Sequence, residues 1–217
     1  MKTMKSSRYA KCMVAGLLVC GLFAGSAIAA SLPPSQVANI AVNNDSAGDF
    51  LTLNWSTGEQ NIGLLQFDLS AYAGKTVGNA TLNLYHQYNG TPGAEFDLFQ
   101  NTSGWSSTIS AWSSAPNYNS SSAVALNIAD SQAGIWRSVD VTSAINAWTS
   151  GSQANYGWTF KRVDQSSPIA YFSATTNIYG GFAPTLSITA VPEPETYAML
   201  LAGLGLLGCV ARRRKTS

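Results

Sequence analysis

The stretch Ala80-Thr81-Leu82-Asn83-Leu84-Tyr85 alternates apolar and polar residues with a period of two. Successive side chains of a β-strand point to opposite faces, so this alternation predicts a strand with one buried face. Similar runs recur between clusters of Ser, Asn, Gly and Pro. Together they predict nine or ten short strands in an antiparallel, jelly-roll-type β-sandwich. The other runs include Leu51–Trp55, Leu65–Leu69, Phe96–Leu98, Val124–Ile128, Trp158–Phe160, Ala170–Phe172 and Leu186–Ile188.

One segment departs from this alternation and has helical spacing. Within Asp140–Trp148 the apolar residues recur every three or four positions, which places them on one face of a helix. Thr142 is a candidate N-cap, and Gly151 is a candidate terminator. The sequence therefore predicts one short helix over Ser143–Trp148, with Ile145 buried against the sheet.

The charge of the chain is distributed unevenly. The formal net charge is +1, but eight of the twelve lysines and arginines lie outside residues 30–190. That region keeps four bases and nine acids, which leaves it a net charge of −5. Nucleic-acid binding rests on clustered Lys and Arg, so we expect no nucleic-acid partner. Residues 30–190 are long enough to form one domain with its own hydrophobic core.

Cysteine usage limits the chemistry of residues 30–190. All three cysteines lie outside this region, which excludes disulfides, thiol catalysis and Cys-built metal sites from it. Asn43, Asp45 and Asp49 surround Gly48 and offer the oxygen ligands that Ca²⁺ prefers. No glutamate follows at the spacing of an EF-hand, and a polar turn is the alternative interpretation. We expect no resident cofactor, with calcium at these three residues as the candidate exception.

The N-terminus has the layout of a secretory signal peptide. A basic stretch with Lys2 and Lys11 precedes the apolar run Cys12–Phe23, and Ala27 and Ala29 offer small residues at a signal-peptidase site. Cleavage after Ala29 predicts a signal peptide over residues 1–29 and an exported domain over 30–190. A lipoprotein site at Cys20 is the less favoured alternative because Val19 precedes that cysteine.

The C-terminus, residues 191–217, has three parts in an unbroken order. The motif Val191-Pro192-Glu193-Pro194 is followed by an apolar run over Tyr197–Ala211 and by the basic residues Arg212, Arg213, Arg214 and Lys215. This order resembles the PEP-CTERM sorting signal of Gram-negative bacteria. The resemblance implies cleavage by an exosortase near the motif, after a transient stay in the inner membrane through 197–211. The alternative is a simple C-terminal anchor, but the 15-residue run is shorter than the roughly 20 residues of a usual transmembrane helix.

Several short motifs in residues 62–189 occur in the order typical of one family of secreted domains. Their order and spacing resemble the DNRLRE domain. The resemblance implies a jelly-roll module of a secreted or surface protein, and for some members carbohydrate binding. The motifs are Leu64-Leu65-Gln66-Phe67-Asp68-Leu69-Ser70, Ala73-Gly74, Val77, Ala80–Tyr85, Trp112-Ser113-Ser114-Ala115-Pro116, Val139-Asp140-Val141-Thr142, Ala147-Trp148, Gly151, Tyr171-Phe172-Ser173 and Ala183-Pro184-Thr185-Leu186.

No pattern in residues 30–190 predicts catalysis. The single histidine, His86, continues the apolar face of Ala80–Leu84, which favours a hydrogen-bonded histidine at the core margin over a catalytic base. No Gly-x-Ser-x-Gly turn surrounds a serine, and none of the nine acids stands out as a glycosidase pair. Asp68 and Asp140 follow strands and are expected to cap turns.

Aromatic residues are the positive evidence for binding. All six tryptophans lie in residues 30–190, and sugar rings stack their C–H faces on flat aromatic side chains. Four tryptophans follow apolar patterns and are expected in the core: Trp55, Trp136, Trp148 and Trp158. The aromatics in polar loops form the predicted glycan site: Tyr88, Trp105, Trp112 and Tyr118.

These observations predict an exported, non-catalytic component of the cell envelope or extracellular matrix. Its expected partners are signal peptidase and exosortase during export and an exopolysaccharide afterwards, which it binds or supports structurally. The alternative is a glycan-acting hydrolase or lyase. An enzyme requires two carboxylates or a His–Tyr pair converging in a groove, whereas a binding module requires only an exposed aromatic surface.

Overall fold

The computed structural model describes residues 29–42, 50–56, 59–89, 94–128, 132–163, 170–174, 182–191, 198–199 and 201–208. All the described strands and the helix over residues 142–149 belong to one compact unit, Ala27–Pro194, whereas the helical residues 198–199 and 201–208 belong to a second unit. The strands are β1 (Ala29–Leu32), β2 (Gln36–Ala41), β3 (Phe50–Ser56), β4 (Glu59–Gln66), β5 (Val77–Asn89), β6 (Ala94–Gln100), β7 (Val124–Ile128), β8 (Ile135–Asp140), β9 (Trp158–Arg162), β10 (Ala170–Ser173) and β11 (Thr185–Ala190), and the helix is α1 (Thr142–Thr149).

The strands form two antiparallel sheets, which confirms the predicted β-sandwich. Sheet A contains β1, β5, β8, β10 and β11, and sheet B contains β2, β4, β6, β7 and β9. Strand β3 joins the two sheets, because its residues 50–53 pair with β10 and its residues 54–56 pair with β4. The described residues contain eleven strands rather than nine or ten. The additional strands include β1 and β8, which the period-two pattern did not reveal.

The core lies between the sheets and is filled from both. Leu82, Leu84 and Phe172 of sheet A meet Phe96 and Phe160 of sheet B, and all are buried. The ring of Phe172 lies edge-on to Phe96 at a centroid distance of 5.5 Å and to Phe160 at 5.0 Å. Burying each such side chain contributes about 1.5–3 kcal/mol, so these interdigitated aromatics are a main source of stability.

Helix α1 closes one side of the sandwich and begins one residue earlier than predicted. Thr142 is its first helical residue and not its N-cap, a position that Val141 occupies without a side-chain hydrogen bond. The Thr142 hydroxyl instead donates to the carboxylate of Asp140 at 2.6 Å, and that carboxylate also accepts the Thr142 N–H at 2.9 Å. Asp140 therefore takes the capping role that the sequence assigned to Thr142.

The remaining helix predictions are confirmed. Ile145 is fully buried, and Trp148, at 7% exposure, packs on Trp158 with a centroid distance of 4.5 Å. Gly151 adopts a φ of 76° just past the helix end, where its N–H bonds to the carbonyl of Trp148. The Asn146 side chain bonds both backbone groups of Val77 at 2.8 and 2.9 Å, which fixes α1 to the start of β5.

Candidate functional site

The long connection between β6 and β7, residues 101–123, lies over the outer face of sheet B. Trp105 and Trp112 pack there against a second apolar cluster, separate from the main core, which is formed by Ala38, Ile40, Ile62 and Leu64. Both tryptophans are half-buried. The loop position of these aromatics predicted exposure, but the strand residues beneath them present apolar side chains outward. Covering those side chains removes apolar area from water, so the loop folds down onto the sheet.

Polar contacts hold this connection in place. The Trp105 indole N–H donates to the carbonyl of Tyr156 at 2.8 Å. The buried Asn101 side chain donates to the same carbonyl at 3.1 Å and accepts from the Thr159 hydroxyl at 2.6 Å. Asn101 also forms an isolated antiparallel bridge with Tyr118. These contacts fix the position of residues 101–123, and therefore of their aromatic side chains, on sheet B.

Tyr118 is the most exposed of the predicted site residues whose side chains are described, at 37%. Its ring lies 4.9 Å from that of Phe99 on the same outer face, and the Lys161 ammonium donates to its hydroxyl at 3.2 Å. The same ammonium lies 5.5 Å from the centre of the Tyr118 ring. Burial raises the pKa of the neighbouring Asp97, and the charge of Lys161 partly offsets that rise. This corner combines an aromatic surface with groups of both charges.

Tyr88, the fourth predicted residue, is not in a loop. Strand β5 continues through Asn89, and Tyr88 pairs with Tyr171 of β10 in sheet A. The polar sequence of residues 87–89 suggested a loop, but pairing with β10 satisfies its backbone without an apolar pattern. The side chain of Tyr88 lies outside the described residues. The structure thus brings Trp105, Trp112 and Tyr118 to sheet B and places Tyr88 on sheet A.

A second aromatic group, missed by the sequence analysis, lies on the outer face of sheet A. Trp136 is 44% exposed, which corrects its assignment to the core. It lies opposite Tyr85 in the β5–β8 pairing, with ring centroids 5.4 Å apart. The rings of Tyr85 and Phe182 are stacked at 4.0 Å, and Phe182 lies 6.2 Å from Trp136. Because side chains alternate along a strand, Trp136 lies on the same outward face of β8 as Ser138 and Asp140, and the pairing of β8 with β5 decides which face packs on the core.

Next to these rings the outer face of sheet A carries a hydrogen-bonded polar network. The Ser138 hydroxyl donates to the Asn83 side-chain carbonyl at 2.7 Å. The Asn83 amide nitrogen donates to the hydroxyls of Thr185 at 3.4 Å and Ser187 at 3.1 Å. All four side chains are partly or fully solvent-accessible. Amide and hydroxyl groups of this kind bond sugar hydroxyls.

Two family models match the chain. Residues 36–190, which include β2 to β11, match the model of carbohydrate-binding module family 96. The chain belongs to carbohydrate-binding module family 96. Residues 190–215 match the PEP-CTERM protein-sorting motif, which confirms that prediction and marks the chain as exported to the cell envelope or beyond. No curated protein sequence matches the chain.

The predicted sorting and cleavage residues of this family 96 module lie mostly outside the described part. Val191 is described: its N–H bonds to the carbonyl of Thr76 at 3.1 Å, directly after β11. Ala29 is described as the first residue of β1, opposite Thr189. Residues 198–199 and 201–208 are helical, and no described helix is both long and apolar enough to cross a membrane. The undescribed members are Ala27, Pro192, Glu193, Pro194, Arg212, Arg213 and Arg214.

The candidate catalytic and metal-binding residues have different outcomes. His86 is fully buried, its ring lies 5.0 Å from that of Phe172, and its Nδ1 lies 3.1 Å from the carbonyl of Gln132, as a structural histidine requires. The described residues contain no group of three or more His, Cys, Asp or Glu side chains that could hold a metal ion. The calcium candidates Asn43, Asp45 and Asp49 lie outside the described residues.

A cavity of about 470 Å³ lies near the end of β4 and is lined in part by Gln66, Asp68, Trp148 and Asn155. Its tryptophan is only 7% exposed, so the cavity offers no open aromatic surface for a sugar ring. The Asp68 carboxylate accepts the Ser70 N–H at 2.9 Å, and this hydrogen bond holds its pKa below the usual value. Asp68 therefore caps a turn, as the sequence predicted. The two outer sheet faces remain the stronger candidates for a glycan site.

Proposed function

We propose that the chain is an exported, non-catalytic module that binds polysaccharide and is sorted by an exosortase. The observation that carries this proposal is the family 96 match, which spans almost the whole sandwich and is followed directly by the sorting motif. The mature domain then acts in the cell envelope or the exopolysaccharide matrix. Signal peptidase cleavage after Ala29 and a transient inner-membrane stay of residues 197–211 belong to the same proposal.

The predicted glycan site on sheet B is part of this proposal. The exposed ring of Tyr118 is supported from below by Phe99 and held by Lys161. Trp105 and Trp112 have one side committed to the apolar cluster and keep a partly accessible side. Because the surface is shallow, few contacts become fully buried on binding, and we expect dissociation constants on the order of 10–1000 μM.

A binding assay with a panel of soluble polysaccharides tests the function. The compact unit Ala27–Pro194 contains the core of the fold and is the protein to use. We expect weak, saturable binding to at least one glycan without release of reducing ends or unsaturated uronates. Products of either kind would establish the hydrolase or lyase alternative. Failure of the unit to bind any member of the panel would contradict the proposed function.

The sheet B site has its own pair of variants. Tyr118→Ala removes the ring and its contact with Lys161, whereas Tyr118→Phe keeps the stacking surface and removes only the hydroxyl. If sugars stack on this ring, Tyr118→Ala weakens binding and Tyr118→Phe retains most of it. Equal affinity of wild type and Tyr118→Ala would exclude Tyr118 from the site.

A further inference from the structure

We propose that the outer face of sheet A is a second glycan-binding platform, centred on Trp136, which takes an uncharged polysaccharide. This inference rests on the proposed binding function and assigns it a site that neither the sequence motifs nor the family match locates. Three observations carry the inference: the exposed aromatic group, the polar network beside it and the charge of the face.

The exposure of Trp136 calls for an explanation. Trp148 and Trp158, on the core side, are 7% and 0% exposed, whereas Trp136 is 44% exposed. Leaving 44% of this side chain accessible to water gives up part of the stabilisation that its full burial would provide. The neighbouring rings of Tyr85 and Phe182 hold it in position by edge-on contacts at 5.4 and 6.2 Å. A pre-positioned ring loses little conformational freedom on binding, which favours its use as a stacking surface.

The register of the strands aligns polar groups with this ring. Asn83 lies opposite both Ser138 and Thr185, two residues before Tyr85 on the same face of β5. Thr81, one step further, lies opposite both Asp140 and Ser187. The distance from Tyr85 to Thr81 along the strand is about 13 Å. A glycan chain lying along β5 would stack one sugar on Trp136 and place the hydroxyls of the next over the Asn83 network.

The charge of the face selects the class of glycan. The outward positions of β5, β8 and β11 beside this platform hold no lysine or arginine, and Asp140 is their only charged residue. An acidic polysaccharide would find no cation there to offset the removal of its carboxylates from water. Neutral sugars require only stacking and hydrogen bonds, both of which this face supplies. The Tyr118 corner of sheet B, by contrast, has Lys161.

A second copy of the chain is the competing occupant of an exposed aromatic face. A stable protein interface buries about 800 Å² on each partner and has an apolar centre. Here one exposed indole adjoins a face of Asn, Ser and Thr side chains, which is not an apolar centre. These side chains hydrogen-bond to one another, and a flat protein partner would have to replace those hydrogen bonds. Sugar hydroxyls match these groups individually, so the glycan is the better fit.

Affinity electrophoresis of the unit Ala27–Pro194 tests the platform. The gels contain hydroxyethyl cellulose, galactomannan or polygalacturonate, and the variants are Trp136→Ala, Trp136→Phe, Asn83→Ala and Tyr118→Ala. We expect at least one neutral polymer to retard the wild type, at low and high salt alike. We expect Trp136→Ala to weaken this binding at least about tenfold and Trp136→Phe to retain part of it, whereas Tyr118→Ala reports the share of binding that the sheet B site contributes.

The outcomes distinguish failure of the sheet A platform from failure of the proposed binding function. Binding of a neutral polymer that Trp136→Ala leaves unchanged, or retardation by polygalacturonate alone, overturns the platform and leaves the binding function in place. A wild type that no polysaccharide retards overturns both. A dimer that Trp136→Ala dissociates overturns the platform in favour of self-association. Melting temperatures of the variants near that of wild type establish that the variants are folded. If Trp136→Ala has a much lower melting temperature than wild type, the affinity of Asn83→Ala for the neutral polymer tests the same face independently.

Discussion

Asp140 connects strand β8 to helix α1 through its carboxylate. The Thr142 hydroxyl and the Thr142 N–H both donate to it, and these bonds hold the pKa of Asp140 below its usual value. A carboxyl group with a depressed folded pKa contributes stability above its unfolded pKa, about 3.9. That contribution is lost as the pH falls through the folded pKa. Asp140 therefore stabilises the fold at neutral pH and ceases to do so in acid.

Asp140→Asn tests this residue. The neutral amide accepts hydrogen bonds less strongly than a carboxylate, so we expect a lower free energy of unfolding at neutral pH. The difference from wild type should shrink to near zero once the pH lies below the folded pKa. Urea denaturation across the acidic range measures it, and Thr142→Val should raise the pKa of Asp140 in an NMR titration. A pKa of Asp140 at or above its usual range would contradict the assignment.

Single residues differ in how far their roles follow from sequence. The turn-capping roles of Asp68 and Asp140 were predictable because each carboxylate bonds a residue only two positions away. Trp136 was assigned wrongly because its exposure depends on which face of β8 packs on the core, and that is decided by pairing with β5. Local contacts are readable in one sequence, whereas burial on a sheet depends on distant partners.

Two glycines with similar backbone conformations allow a matched comparison of how closely neighbouring strands pack. Gly151, after α1, and Gly157, before β9, have φ values of 76° and 74°. A Cβ at Gly151 would meet nothing within 4 Å, whereas at Gly157 it would strike the Leu65 carbonyl oxygen and lie 2.9 Å from the Cα of Gln66. Only the second substitution would push β4 and β9 apart, at the Leu65–Trp158 pair.

We expect Gly151→Ala to cost about 1–2 kcal/mol, the cost of a left-handed conformation in a residue with a side chain. Gly157→Ala should cost more than about 4 kcal/mol because strain is added to a backbone collision. Equilibrium urea denaturation compares the two free energies of unfolding, and circular dichroism shows whether Gly157→Ala folds at all. Similar costs for both variants would show that β4 and β9 separate easily at this point.

The elements were predicted where their pattern is local and missed where it is not. Helix α1 and the core strands carry clear periods of 3.6 and 2 in their own residues. Strand β1 and the last residues of β5 have no such period and form because β11 and β10 offer them backbone partners. The loop over sheet B follows the same rule, since the apolar cluster beneath it becomes visible only when β2 and β4 are paired.

At the scale of the whole molecule, both expected processing positions lie at one end of the sandwich. Ala29 stands opposite Thr189 at the start of β1, and Val191 follows the end of the partner strand β11. Peptidases act on exposed, unpaired chain. Pairing of β1 with β11 would cover the bond after Ala29, so we expect signal peptidase to act before β11 takes its place.

We expect the exported protein to begin at Ala30 and to lack Tyr197–Ser217 when it is made in a host with an exosortase. The intact mass of the exported protein measures both ends at once. Glu193→Ala is the matched control: it should still begin at Ala30 but keep its basic C-terminus, because only the sorting motif is altered. Exported wild type that retains Arg212–Lys215 would contradict the C-terminal half of this prediction, and a different first residue would contradict the N-terminal half. Since β1 needs only residues 30–32 to keep most of its pairing with β11, the doubly processed form should melt close to the unit Ala27–Pro194.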